Sequence, residues 1–212
     1  MSLFIDNPEV MTGWLLGDGH ITPMRVDKRG SHYSHNPGID IRQTQEDFVN
    51  YIKSFICPNA KTHSYKNPHK GRENHKPIYF VTHQSKALIP YRLKWYPDNI
   101  KIAPLDIKIT PIVLLLWFMG DGSTTRPTSQ PDRIMLRLST EKFTEPEVVF
   151  LRDSLSKLGI NFNINKGRHT DKQRGFVLNT KKKSTVRDFL EYIGPCPVTS
   201  MEYKWKLPIF KL

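Results

Sequence analysis

The sequence predicts an α+β protein of two pseudo-symmetric halves, each running helix, two strands, helix, two strands, helix. Three observations predict it: a motif written twice, matching strand and helix patterns behind each copy, and a positive charge shared by both halves. The motif comes first. Asn7-Pro8 opens a run that ends Gly13-Trp14-Leu15-Leu16-Gly17-Asp18-Gly19, and Thr110-Pro111 opens one that ends Leu116-Trp117-Phe118-Met119-Gly120-Asp121-Gly122. A capping side chain followed by proline at the first helical position starts a helix. Proline lies ten residues, and tryptophan four, before the aspartate in both copies. Agreement of cap, proline, tryptophan and Gly-Asp-Gly is improbable by chance, so the chain reads as a duplication with an offset of 103.

The other elements follow in order. Segments 20–30 and 36–45 read as a hairpin, because apolar positions alternate with polar or basic ones around a polar turn. Segment 46–56, EDFVNYIKSFI, is an amphipathic helix. Segments 61–67 and 77–83 form a second strand pair, and 85–97 a closing helix. The second half repeats this: strands within 123–140, a helix over 144–159 with Thr144 as cap, strands at 161–167 and 175–180, and a helix at 184–194. Four strands per half predict a curved antiparallel saddle. The halves are 1–104 and 105–212, joined by a short linker at 101–106 where proline and aspartate interrupt the pattern.

The net charge is +12. Residues 1–104 carry 14 basic and 9 acidic groups, net +5, and residues 105–212 carry 18 and 11, net +7. A folded chain basic throughout calls for a polyanionic partner, nucleic acid first. The longest apolar run, Ile112 to Met119, is far short of the ~20 residues that span a bilayer. No secretory signal opens the chain, and Cys57 and Cys196 have no metal-ligand spacing. These features predict an intracellular protein with no membrane partner and two free thiols.

The helix ends suggest chemistry. Gly13 and Gly17 lie on one helix face, and Gly120 matches Gly17, so two such helices can approach closely. Their C-terminal ends would then bring Asp18 and Asp121 together. Two close carboxylates repel unless a cation sits between them, and hard divalent cations take carboxylate and carbonyl oxygens. The carbonyls of Gly17 and Gly120, left open at the helix ends, are further candidate ligands. Two-metal sites support phosphoryl transfer by clamping the attacking and leaving oxygens.

At these residues the chain resembles a known family. MTGWLLGDG and LLLWFMGDG are similar to the two LAGLIDADG motifs of single-chain, intron-encoded homing endonucleases. Three positions depart from the pattern: Leu116 stands opposite Gly13, Met119 replaces a frequent acidic residue, and Gly17 and Gly120 replace alanine. The resemblance implies that a monomer makes a double-strand break with short 3′ overhangs in an asymmetric target about two helical turns long. Mg²⁺ would be held by Asp18 and Asp121, with Mn²⁺ able to substitute and Ca²⁺ binding without supporting cleavage. It also implies a basic and amide pocket around the attacked phosphate. Lys94 and Lys204, in matched Leu-Lys-Trp and Tyr-Lys-Trp contexts, are the candidates, with Gln43 or Gln45 positioning water in the first half. Ser139 or Thr140 holds the related place in the second.

A β-ribbon in the major groove presents alternate side chains to base edges. Arg25, Lys28, Arg29, His32, Tyr33, His35, Asp40 and Arg42 are candidate DNA contacts in the first half. Arg126, Thr128, Gln130, Arg133, Arg137, Lys166, Arg168 and Lys172 are those of the second. Double-stranded DNA is the expected partner, with the chain's own intron RNA as a second. Two alternatives share the scaffold: an RNA-binding intron maturase and a non-cleaving DNA-binding regulator. Mitochondrion, chloroplast and prokaryotic cytoplasm all fit as compartments.

Overall fold

A computed structural model of the protein describes residues 7–26, 33–66, 77–125, 134–167 and 175–206, with the side chains of 25, 26, 33 and 34 outside that description. Its axis is the pair α1 (Pro8–Leu16) and α4 (Pro111–Asp121), which pack on each other. Asn7 caps α1, its Oδ1 accepting from Val10 N at 3.2 Å, and each helix has proline in its first turn. Both are apolar nearly all round, as expected of helices buried on every side, and Leu15, Leu114, Trp117 and Phe118 are fully buried. Two glycines set how closely they approach. A Cβ on Gly13 would lie 2.6 Å from the Val113 carbonyl oxygen and 2.9 Å from Leu116 Cβ. Leu116 therefore fills the notch that Gly13 leaves, which accounts for the unequal third motif position. A Cβ on Gly17 would lie 3.4 Å from Gly120 Cα, so the backbones nearly touch at the aspartates.

In the second half α4 runs straight into β6 (Gly122–Thr125). With β7 (Met135–Leu138), β8 (Asn163–Lys166) and β9 (Phe176–Thr180) it forms an antiparallel sheet in the order β6-β7-β9-β8. Leu136, Leu138 and Leu178 face the core. They are covered by α5 (Glu145–Ser156), opened by a Thr144–Glu147 capping box, while α6 (Lys183–Ile193) packs against α4. A 3₁₀ segment, Thr199–Lys204, follows.

The first half differs from its expected four strands. β3 (Gly38–Gln43), β4 (His63–Tyr65) and β5 (Ile78–Gln84) form a three-stranded antiparallel sheet in the order β3-β5-β4. β1 (Arg25–Val26) and β2 (Tyr33–His35) form a separate ribbon. In place of a fourth strand, one bridge joins Ile21 to Ile39, with Thr22 N donating to Gly38 O at 2.7 Å. Pro23 follows, and without an N–H it cannot continue a ladder. α2 (Glu46–Ile56) covers the sheet, burying Phe48, Val49, Ile52 and Ile56. The closing helix is split into a 3₁₀ turn, Lys86–Leu88, and α3 (Ile89–Trp95), because Pro90 begins a new helical start. A further turn, Pro97–Asn99, holds Asp98 and Asn99 at φ 52 and 63, where Asp and Asn are the tolerated non-glycine residues.

One continuous apolar core joins the halves. Polar ties also join the halves: Glu147 Oε1 accepts from Ala103 N at 2.9 Å, and the Asp47 carboxylate accepts from Ser200 N at 2.9 Å and Ser200 Oγ at 2.5 Å. Cys57 and Cys196 are free thiols, and among the described residues no helix is long and apolar enough to cross a membrane.

Candidate active site at the paired aspartates

Close approach of Gly17 and Gly120 brings Asp18 and Asp121 into one cleft of about 490 Å³, lined also by Gly19, His20, Lys101, Ser139 and Lys142. The carboxyls are within hydrogen-bonding reach. Burial, then the Asp18 charge and hydrogen bond, raises Asp121 to about 7. The pair therefore holds a proton where ordinary carboxylates have lost theirs. The same concentration of negative charge suits a divalent cation, so the donor set fits the metal that the sequence resemblance implies. Among the described residues no third His, Cys, Asp or Glu joins the pair. Phosphate and water oxygens would have to complete such a cation's shell.

A lysine closes each helix end. Lys204 Nζ donates to the carbonyl oxygens of Phe118 at 3.1 Å, Met119 at 2.6 Å and Gly120 at 3.3 Å. Lys101 Nζ donates to Gly17 O at 3.1 Å and Gly19 O at 2.8 Å. A helix C-terminus is where a cation belongs. Burial lowers each ammonium to about 8, against the pull of the two aspartates. The Gly17 and Gly120 carbonyls, expected as metal ligands, thus already accept from lysine. Lys94, expected as the first-half pocket lysine, instead forms an exposed ion pair with Asp106 at 2.7 Å, because it lies on α3 and faces the linker. Lys101 takes the place proposed for it. A signal for this was present in the sequence: the offset of 103 between Asp18 and Asp121 also separates Lys101 from Lys204, whereas the tryptophan context led to Lys94.

Of the two glutamines, Gln43 reaches the site. Its Nε2 donates to Asp18 Oδ2 at 2.5 Å from the end of β3. Gln45 precedes α2 and its Oε1 accepts from Thr44 Oγ1 at 3.0 Å, away from the aspartates. The second half has no matching amide. Counted from the pairs Ile21–Ile39 and Thr124–Leu136, whose first members stand 103 residues apart like the aspartates, Gln43 corresponds to Thr140. Ser139 and Thr140 both line the cleft; Ser139 donates its N–H to Asp121 O at 3.0 Å, and Thr140 Oγ1 donates to the Phe176 carbonyl at 2.7 Å. His20 and Lys142 were not singled out by sequence. Nothing in residue type marks them, and only the path of the backbone brings them to the cleft.

The candidate DNA contacts are partly placed. Arg42 is on the outer face of β3, paired with Asp40 at 3.0 Å. Arg137 is on the outer face of β7, paired with Glu141. His35 and Lys166 are exposed. Arg25 and Tyr33 are placed by backbone alone, in β1 and β2. Lys28, Arg29, His32, Arg126, Thr128, Gln130, Arg133, Arg168 and Lys172 lie outside the described residues.

Fold and site define a class: a duplicated α+β protein whose two central helix ends present a lysine-flanked carboxylate pair beside two antiparallel sheets. Comparison with known proteins gives the class its family. The model of the LAGLIDADG DNA endonuclease family matches residues 8–187, and the chain belongs to that family. An uncharacterised protein of Methanocaldococcus jannaschii is 31% identical over 189 residues, covering 86% of this chain and 66% of its own. The RecA protein of Mycolicibacterium flavescens is 28% identical over 214 residues, covering 96% of this chain and 47% of its own. The chain thus spans about two thirds of the first relative and about half of the second. Among solved structures, the homing endonuclease I-WcaI bound to its DNA recognition sequence superposes with TM-score 0.73 at 21% identity, covering 92% of this chain and 84% of that one. The meganuclease I-SmaMI bound to uncleaved DNA with calcium ions gives TM-score 0.61 at 10% identity, covering 96% and 90%. These likenesses establish the fold.

Proposed function

We propose that the protein is a site-specific endonuclease acting as a single chain, which cuts both strands of a long, asymmetric double-stranded DNA target and leaves short 3′ overhangs. The observation that carries this is the geometry at the axis: two carboxylates forced into one cleft, each helix end closed by a lysine. A divalent cation held by Asp18 and Asp121 would supply Lewis-acid activation of water and charge neutralisation at the phosphate, Mg²⁺ being the expected ion and Mn²⁺ a substitute. The chain's own residues do the rest. Gln43 spends its N–H on Asp18, so its Oε1 remains free to accept from a water beside the attacked phosphorus. Lys101 and Lys204 hold positive charge beside the cleft, where a phosphorane would gain negative charge. The pseudo-twofold axis gives each half one strand to cut.

Structurally similar homing endonucleases form complexes with DNA in the presence of manganese, magnesium or calcium, which supports this reading. The maturase and regulator readings are not favoured, since neither needs two carboxylates held together. The protein acts inside the cell, where its DNA target is. The test selects duplexes from a randomised library with wild type in Mg²⁺, then compares Asp18→Asn and Asp121→Asn on the recovered site. Expected is cleavage at one long site by wild type, with binding kept and cutting reduced ~10³-fold or more in each variant. Binding without any cleavage by wild type would overturn the nuclease reading.

A further inference from the structure

The outward faces of the two sheets can be read from their ladders. In the first half, Arg42 lies opposite Phe80, which lies opposite His63, and the next outward pair is Ile78 with Tyr65. In the second, Arg137 lies opposite Asn179, which lies opposite Asn163, and the next outward pair is Val177 with Asn165. Directly opposed residues share a face. Ile41, Val81, Leu136 and Leu178, one step along, are buried against the helices, so these sets occupy the faces turned away from the helices. Each face carries one arginine and one β-branched residue, but the first adds aromatic rings and the second adds amides.

The ring set is a cluster outside the core. Phe80 has His63 at 5.5 Å and Tyr65 at 5.8 Å between ring centroids, and the Arg42 guanidinium lies 5.7 Å over its ring. None of Phe80, Tyr65 or Ile78 packs against the main core. In the second half, Asn165 Nδ2 donates to Asn179 Oδ1 at 3.0 Å, which orients the exposed Asn165 and leaves it one N–H and its carbonyl. β3 also ties its face to the catalytic centre, for Arg42 is next to Gln43, which holds Asp18. DNA seated at the aspartates must run out over these faces. Strand rise and base-pair rise are nearly equal, about 3.4 Å, so successive outward residues meet bases about two steps apart.

We infer that the two halves read DNA by different chemistry: the Phe80 face recognises thymines through their 5-methyl groups, and the Asn165 face recognises purine edges through amide hydrogen bonds. Apolar side chains can contact the thymine methyl, and an amide pairs with adenine N6 and N7. This rests on the DNA-cleaving reading above. The alternative for the rings is cross-strand packing alone, and the experiment separates the two.

A duplex selected from a randomised library for binding in Ca²⁺ is remade with 2′-deoxyuridine for thymine, first in one half-site and then in the other. Affinity is expected to fall about fourfold per contacted methyl in one half-site, and to hold in the other. Phe80→Asn, which replaces the ring by an amide, is expected to bind the thymine and uracil duplexes of that half-site equally. Asn165→Ala is expected to keep the discrimination. Should Phe80→Asn fail to fold, Tyr65→Asn on β4 makes the same exchange at an exposed position. Equal uracil sensitivity in both half-sites, none in either, or full discrimination by the Phe80 variant would overturn the inference while leaving the nuclease reading intact. Failure to select any bound duplex would overturn the nuclease reading itself.

Discussion

In the second half, α4 carries Asp121 within its last turn and passes directly into a four-stranded sheet. In the first, α1 stops before Asp18, and Pro23 ends the would-be first strand after one bridge. Asp121 is half-buried and Asp18 exposed. Yet a lysine caps the helix-end carbonyls in both halves, at the same offset from its aspartate. The comparison teaches which positions a duplicated chain can vary. A buried ammonium on two or three carbonyls is fixed by several hydrogen bonds at once, and its loss leaves several polar groups bare. A strand edge or an outward side chain answers only to solvent or to the DNA it meets, so it is free to diverge.

The largest break in the comparison should come from the shared lysines. Lys204→Met and Lys101→Met are each expected to slow cleavage ~10²-fold in single-turnover assays, with target binding retained. A much smaller effect of one would show that only one half's lysine serves the chemistry. Next is the helix crossing. Gly13→Ala forces a methyl to 2.6 Å from the Val113 carbonyl and should destabilise by about 1–3 kcal/mol in urea unfolding. Gly17→Ala meets Gly120 at 3.4 Å and should cost clearly less. Third, Gln43→Leu, which removes the amide that reaches Asp18, should slow one strand's cut about tenfold and spare the other, as read on strand-labelled duplexes. Equal slowing of both strands would remove the asymmetry assigned to this pocket.

The smallest effect is in pH. Asp121 is raised to about 7, against about 4 in the unfolded chain. The metal-free fold therefore keeps a proton between those values that the unfolded chain has lost, and this contribution to stability falls as pH rises through that window. A divalent cation replaces the proton. The gain in Tm on adding Mg²⁺ should then be larger near pH 8 than near pH 5.

Much of this was legible in the residues. Asp18 and Asp121 stood out because they repeat at equal distance from proline and tryptophan, and the strand and helix order followed from hydrophobic period. Lys101 was hidden behind Lys94, since local context points to the latter while only the repeat offset points to the former. The three-stranded first sheet turns on Pro23, whose missing N–H matters only once Ile21 is known to pair with Ile39. The contrast between the outer faces was out of reach, because only the ladders show which residues of different strands share a face.

The central claim is that Asp18 and Asp121 together hold the cation on which cleavage depends. Its most direct test is calorimetric titration of Ca²⁺ into the complex of the protein with its selected duplex, for wild type, Asp18→Asn, Asp121→Asn and the double variant. Saturable binding by wild type, weakened in each single variant and lost in the double, is the predicted result. Unchanged Ca²⁺ affinity in the double variant would contradict the account.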